Sequence, residues 1–231
     1  MIHSLHLGDT RYRFERIEEA YGPTFEWIWM DPDVGFASWL VYGTGTYWIS
    51  GKPGSGKSTL MKYIFKNYQQ MIMPNIGSSE RKHIPAGFFF HDRGSHLQKS
   101  FEGLLYSVLH QVLTSEKRLV KEVSHIYLRR PPSHRARWPL EDLEEALGCT
   151  LKQTRLPIDI LLFLDALDEY GGRPDFIADF IKRMIDGPKS SATRVKICFS
   201  SRLWNVFIDQ FQASPGFKIH ERTKEDILCL H

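Results

Sequence analysis

The run Gly51-Lys52-Pro53-Gly54-Ser55-Gly56-Lys57-Ser58 fits the pattern G-x-x-x-x-G-K-[ST] at every position. Its glycines let the backbone curl so that successive N–H groups point inward at an anion. A helix starting directly after the loop adds its partial positive charge at the same place. Lys57 can reach β- and γ-phosphates as a point charge, and Ser58 offers a hydroxyl to Mg²⁺. With Thr59 in the first helical turn, residues 51–59 form the candidate nucleotide-binding set.

A phosphate loop also needs a group to hold the metal and one to orient a water. Leu161-Leu162-Phe163-Leu164-Asp165-Ala166-Leu167-Asp168-Glu169 supplies both types. Asp165 ends four apolar residues, at the C-terminal tip of a strand, where open α/β sheets bind their ligands. It pairs with Ser58 as the candidate metal set, holding Mg²⁺ through water. Asp168 and Glu169 follow, and either one could polarise an attacking water. A further strand, Val195–Phe199, runs into Ser200-Ser201-Arg202. Arg202 could neutralise charge beside a γ-phosphate; the alternative is an arginine that only pairs with the acidic cluster. Asp168, Glu169 and Arg202 are the candidate catalytic residues. Arg93, after the Phe88–Phe90 run, is a second cation for the same pocket.

These residues need strands and helices to place them. Tyr47–Ser50, Ala86–Phe90, Ile158–Leu164, Val195–Phe199 and Phe217–Ile219 read as strands. Ser58–Tyr68 reads as a helix with Leu60, Met61, Ile64 and Phe65 on one face. Ser95-His96-Leu97-Gln98 is a capping-box pattern opening another helix, and Phe101, Leu104, Leu105, Val108, Leu109 and Val112 keep helical spacing along it. Leu140–Lys152, Asp175–Ile185 and Trp204–Phe211 are further helices. Alternating strands and helices predict an α/β sandwich, a mostly parallel sheet covered on both faces. Before residue 47, short helices rest on this body through Trp27, Trp29, Phe36 and Trp39.

Composition is compatible with this and narrows the rest. The 231 residues are 42% hydrophobic and 25% charged, as in a globular protein. Thirty Lys and Arg against 27 Asp and Glu leave a net charge of +3, too small to announce a nucleic-acid or membrane partner. Three scattered cysteines, Cys149, Cys198 and Cys229, form no disulfide framework or metal knuckle. The N-terminus lacks a signal-peptide pattern, and no stretch has the ~20 apolar residues of a membrane span, so the chain reads as cytoplasmic. The arginine-rich, proline-rich run 129–137 is read as a solvated loop, not a phosphate-contacting surface.

Together, Gly51–Ser58, Asp165–Glu169 and Ser200-Ser201-Arg202 resemble a NACHT domain of the STAND class of signalling P-loop NTPases. The small Ala166 after the acidic strand tip, with Asp168 and Glu169 beyond it, fits that family's spacing. Thr24-Phe25-Glu26-Trp27-Ile28, Phe36-Ala37-Ser38-Trp39-Leu40, Trp48-Ile49-Ser50-Gly51-Lys52, Phe88-Phe89-Phe90-His91 and Leu140-Glu141-Asp142-Leu143 are similar to recurring phrases of its fungal NOD-like receptor group, whose domain is called nephrocystin-like. Leu203 departs from the proline usual after the sensor arginine.

The resemblance implies a three-layer P-loop NTPase sandwich of the AAA+-like branch, with a five-stranded sheet ordered 5-1-4-3-2. In that order Arg202 and Asp165 would flank the γ-phosphate. It implies a helical lead-in over 1–46, the NTPase core over 47–220 and the start of a helical domain over 221–231, near Ile227, Leu228 and Leu230. It also implies Mg²⁺ with ATP, GTP being the alternative, slow hydrolysis, and nucleotide-coupled self-oligomerisation beside effector and repeat domains that lie outside these residues. The winged-helix domain that closes the family's pocket is also outside them, so an open pocket is expected. Two other classes compete: an AAA+-like nucleic-acid remodeller and a small-molecule kinase. The first needs nucleic-acid contacts beyond one basic loop. The second needs an acceptor pocket, whereas the Asp168–Glu169 pair favours water as acceptor.

Overall fold

The structure, a computed structural model, describes residues 1–20, 24–72, 81–187 and 190–222. Five parallel strands form one sheet: β1 (Gly45–Ser50), β2 (Lys82–Phe89), β3 (Ile158–Asp165), β4 (Thr193–Ser201) and β5 (Gly216–Lys218). Their spatial order is β2-β3-β4-β1-β5, with every pairing parallel. Read from the other edge this is the expected 5-1-4-3-2, the P-loop NTPase-like arrangement.

Side-chain alternation along the strands separates two cores. Ile158, Ile160, Leu162 and Leu164 of β3, with Val195, Ile197 and Phe199 of β4, enter one core. There they meet α6 (Phe101–Ser115), α7 (Val120–Leu128), α8 (Leu140–Lys152), α9 (Pro174–Asp186) and α10 (Asn205–Phe211). Leu161, Phe163 and Cys198 point the other way. They pack on α4 (Lys57–Ile72) and on the anchors of α2 (Trp27–Met30) and α3 (Phe36–Tyr42). Phe36 and Trp39 are buried among these anchors, while Trp27 and Trp29 are partly buried beside them. Because Asp165 and Ser200 continue the Leu161–Phe163 and Cys198 alternation, both face the α4 layer.

Several expected boundaries shift. β2 starts at Lys82 and β4 at Thr193, because Lys82-His83 and Thr193-Arg194 pair with β3 although their side chains are polar. β5 ends at Lys218, and Ile219 turns into the core beneath the P-loop. The helix expected from the Ser95 capping box is two helices. The box caps only α5 (His96–Lys99). Ser100 is extended (φ −107°, ψ 158°) and its hydroxyl accepts from Gly103 N, opening α6. Gly103 is required at this elbow, since a Cβ there would stand 1.8 Å from the Leu97 carbonyl oxygen. The helix α7 has no counterpart in the sequence reading. The lead-in also forms α1 (Tyr12–Arg16), whose Phe14 packs on Phe65 and Phe89. From Thr223 onward the expected helical start, with Ile227, Leu228, Cys229 and Leu230, lies outside the described residues.

The basic run after α7 is braced internally. Arg129 bonds Asp142 and Glu145, Arg130 donates to the Arg137 carbonyl, Arg135 donates to the carbonyls of Arg130 and Leu128, and Arg137 pairs with Glu102. No helix among the described residues is long and apolar enough to cross a membrane.

Candidate functional site

The glycine-rich turn lies between β1 and α4, as its sequence requires. Gly54 and Gly56 have φ of +70° and +85°, a backbone that side chains disfavour. Gly51 N donates to Ser201 O at 3.2 Å, which fixes the start of the turn to β4. α4 opens at Lys57, so its free N–H groups face the loop. Lys57 Nζ donates to the carbonyls of Gly51 (3.0 Å) and Lys52 (2.9 Å), folding the ammonium back across the turn. Burial lowers its pKa, against the pull of Asp168 and Asp165.

Asp165 is fully buried at the end of β3. Its Oδ1 accepts the Ser200 hydroxyl at 2.6 Å, and that hydroxyl accepts Ala166 N at 2.8 Å. Burial raises the carboxyl's pKa, opposed by hydrogen bonds from Ser200 and Ser58, so the two candidate metal residues adjoin. Ala166 is left-handed (φ 59°, ψ 52°), alone among described non-glycine residues in having positive φ. The kink leads into a 3-10 turn, Leu167–Glu169, which brings Asp168 and Glu169 back beside the strand tip.

Those two acids have different partners. Asp168 Oδ1 accepts Arg202 N at 3.0 Å, and Oδ2 lies 2.9 Å from Arg202 Nε. Arg202 is thus paired with Asp168 of the acidic cluster in this structure. Glu169 Oε2 accepts Asp92 N at 3.1 Å, and burial raises its pKa. That leaves its other oxygen for further work. Arg93 is exposed in the turn after β2.

Some neighbours were not singled out from sequence. The sequence marks Ser200 only as a polar strand tip; its place two residues before Arg202, on the Asp165 face, is the signal for its role. Ser201 accepts Trp48 Nε1 and donates to the Arg202 carbonyl, both at 2.9 Å, bracing the arginine's backbone. Arg13 of α1 acts electrostatically on both Asp165 and Glu169. Ile219 and His220 lie against Gly51, where an added Cβ would stand 2.6 Å from the Ile219 side chain.

Six buried side-chain polar atoms lack a hydrogen-bond partner among the described residues. Four of them, Arg13 Nε, Ser55 Oγ, Asp165 Oδ2 and His220 Nδ1, belong to residues around the P-loop and Asp165. Buried polar groups are normally satisfied, so this concentration fits a site whose hydrogen bonds are completed by a ligand. A hydroxyl and a carboxylate oxygen also suit a hard cation such as Mg²⁺. A cleft of about 860 Å³ lies elsewhere, lined by Thr44, Gly45, His83, Asp159, Arg194 and Lys196 at the starts of the strands. It is wide, but it holds none of the residues just described.

The family model described as Nephrocystin 3, N-terminal matches residues 23–202. The chain belongs to this family. The matched span holds the P-loop, Asp165, Asp168, Glu169 and Arg202, and leaves out α1 and β5. No curated protein matches the chain. Among solved structures it is similar to a chain in "Structure of Drosophila ORC bound to DNA", at 14% identity and a TM-score of 0.43. That match covers 89% of this chain and 43% of the other, so this chain spans less than half of its neighbour's length.

Proposed function

We propose that this nephrocystin-like domain binds a nucleoside triphosphate with Mg²⁺ and serves as a NACHT-type switch, with ATP favoured over GTP. The observation that carries this reading is the P-loop on β1–α4 facing the buried Asp165, whose Oδ2 is unpartnered among the described residues. In this reading the N–H groups of residues 51–59 and Lys57 cradle the phosphates. Nucleotide binding would draw Lys57 from the Gly51 and Lys52 carbonyls to the phosphate oxygens. Ser58 and Asp165 would hold Mg²⁺, which would neutralise phosphate charge when bound. Glu169, whose carboxylate is tied by one backbone N–H, polarises the water. Asp168 holds Arg202 until a terminal phosphate competes for the guanidinium.

Slow hydrolysis coupled to self-association in a cytoplasmic, fungal receptor-type protein is the finer part of the proposal. It rests on the sequence phrases that resemble the NOD-like receptor group. The same resemblance supports a lead-in over 1–46, a core over 47–220 and a helical domain starting at 221.

The test is a calorimetric titration of the chain with ATP, ADP and GTP, with and without Mg²⁺, beside a turnover assay. Lys57→Ala should lose binding while keeping the fold, since each charge-assisted hydrogen bond contributes roughly 1.5–3 kcal/mol. Asp165→Asn should weaken the Mg²⁺-dependent part. Equal ATP affinity in Lys57→Ala and the wild type would remove the P-loop from the proposal. Binding without turnover would leave a nucleotide-dependent scaffold.

A further inference from the structure

The lead-in helix α1 lies ahead of the family span, yet it is built into the site. Phe14 seats it on Phe89, at 5.0 Å between ring centroids, and Phe89 pairs in register with Asp165. From the P-loop helix, Lys62 Nζ donates to the Ile17 carbonyl at 2.5 Å and pairs with Glu19 at 3.0 Å. α1 is thus fastened to β2 on one side and to α4 on the other. Arg13 stands one residue before Phe14, in the first turn of α1. Its Nε is buried and has no partner among the described residues. The neighbouring Phe14, seated on Phe89 in register with Asp165, puts this turn of α1 at the Asp165 end of the sheet, and the Arg13 charge favours the ionised forms of Asp165 and Glu169.

A buried guanidinium N–H without an acceptor is costly, and a phosphate oxygen is the acceptor whose geometry its planar fork matches best. Arg202, the other guanidinium near Asp165, is already occupied by Asp168. We propose that Arg13 is the residue by which the lead-in reads the terminal phosphate, so that α1 distinguishes a nucleoside triphosphate from a diphosphate. This inference rests on the nucleotide-binding reading and deepens it. Because α1 is docked on the sheet through Phe14 and Lys62, loss of the terminal phosphate would be felt at the lead-in as well as in the loop.

The experiment is a calorimetric titration of the full chain with Mg·ATP and Mg·ADP, for the wild type, Arg13→Ala, Arg13→Lys and Lys57→Ala. Arg13→Ala should weaken ATP by about tenfold or more, the scale of one charge-assisted hydrogen bond, and ADP by less than about twofold. Arg13→Lys, which keeps the charge but not the fork, should fall between wild type and Arg13→Ala in its ATP-to-ADP affinity ratio. Lys57→Ala should lose both nucleotides. An equal loss of ATP and ADP in Arg13→Ala would overturn the proposal and make Arg13 a brace for the lead-in. Unchanged affinity for both would overturn it as well. Should Arg13→Ala fail to fold, the ratio in Arg13→Lys decides, and an unchanged ratio counts against the proposal. A wild type that binds neither nucleotide would overturn the underlying reading, an outcome distinct from a selective failure at Arg13.

Discussion

Ala166 holds a left-handed backbone that costs an L-residue about 1–2 kcal/mol. The strain persists because both ends are pinned: its N–H goes to Ser200 Oγ, and its carbonyl accepts Glu169 N at 2.7 Å. The kink sends Asp168 and Glu169 back to the strand tip instead of away from it. Ala166→Gly should therefore be neutral or stabilising by up to about 1 kcal/mol, the relief offset by a freer unfolded chain. Ala166→Val should cost about 2 kcal/mol or more, since a β-branched side chain must adopt positive φ in a buried spot. Urea denaturation of both variants checks this, and the reverse order would mean that the local backbone is unstrained. The roles of the two acids separate in the same way. Glu169→Gln should keep Mg·ATP affinity within about twofold while lowering turnover by about 10²-fold or more, the range of general-base loss. If Glu169→Gln turns over at the wild-type rate, Asp168 takes the role and its pairing with Arg202 must break during the cycle.

At the scale of elements, the strands that end in chemistry were legible because they are apolar runs stopped by a polar residue. Their beginnings were not, because the ladder continues through Lys82-His83 and Thr193-Arg194, where pairing outweighs side-chain type. The Ser95 box was visible, but the Ser100 elbow depends on Gly103 meeting the Leu97 carbonyl, a contact spacing does not encode. Arg13 was missed for a similar reason: it lies in a five-residue helix with no motif of its own. The far end of α6 carries a separate device. Glu116 accepts Arg118 N at 3.1 Å and its Nε at 2.8 Å, and reaches Lys82 Nζ at 3.3 Å, joining α6 to β2. Hydrogen bonds from Arg118 first, then from Lys82, outweigh burial and hold its carboxyl at about 2, below the ordinary 4.5. A depressed carboxyl stabilises the fold above pH 4.5 and loses that contribution as pH falls through 2. Glu116→Gln should cost about 2 kcal/mol at pH 7. The gap between variant and wild type should narrow as pH falls from 4.5 toward 2, measured by denaturation across that range. A gap independent of pH would assign the loss to packing.

Across the whole molecule, the sheet separates what holds it together from what it presents. The candidate site gathers at the C-terminal ends of β1, β3 and β4. At the other end, one residue past the start of β3, Asp159 is buried among cations. Its Oδ1 accepts Arg81 Nε at 2.7 Å and Arg194 Nε at 2.8 Å, and its Oδ2 accepts Arg194 at 2.6 Å. Burial pushes this carboxyl up, but hydrogen bonds from Arg194 and Arg81 outweigh it, and its pKa stays below the ordinary value. Arg81 also donates to the carbonyls of Ile158 and Ala192, so the cluster ties the approach to β2 onto β3 and β4 together. Removing one partner from a buried ion pair strands the others, at about 3–5 kcal/mol. Arg194 is more than half exposed, which places Asp159→Ala at the low end of that range. Five residues of β3, Ile160 to Leu164, separate Asp159 from Asp165, and no nucleotide contact is proposed for this cluster. The variant should therefore melt earlier yet bind Mg·ATP with wild-type affinity at temperatures where it is folded. Thermal melts and calorimetry on the same preparation check both halves. A parallel loss of affinity would mean that the two ends of β3 are mechanically coupled, and that the strand transmits strain between them instead of isolating the site from its foundation.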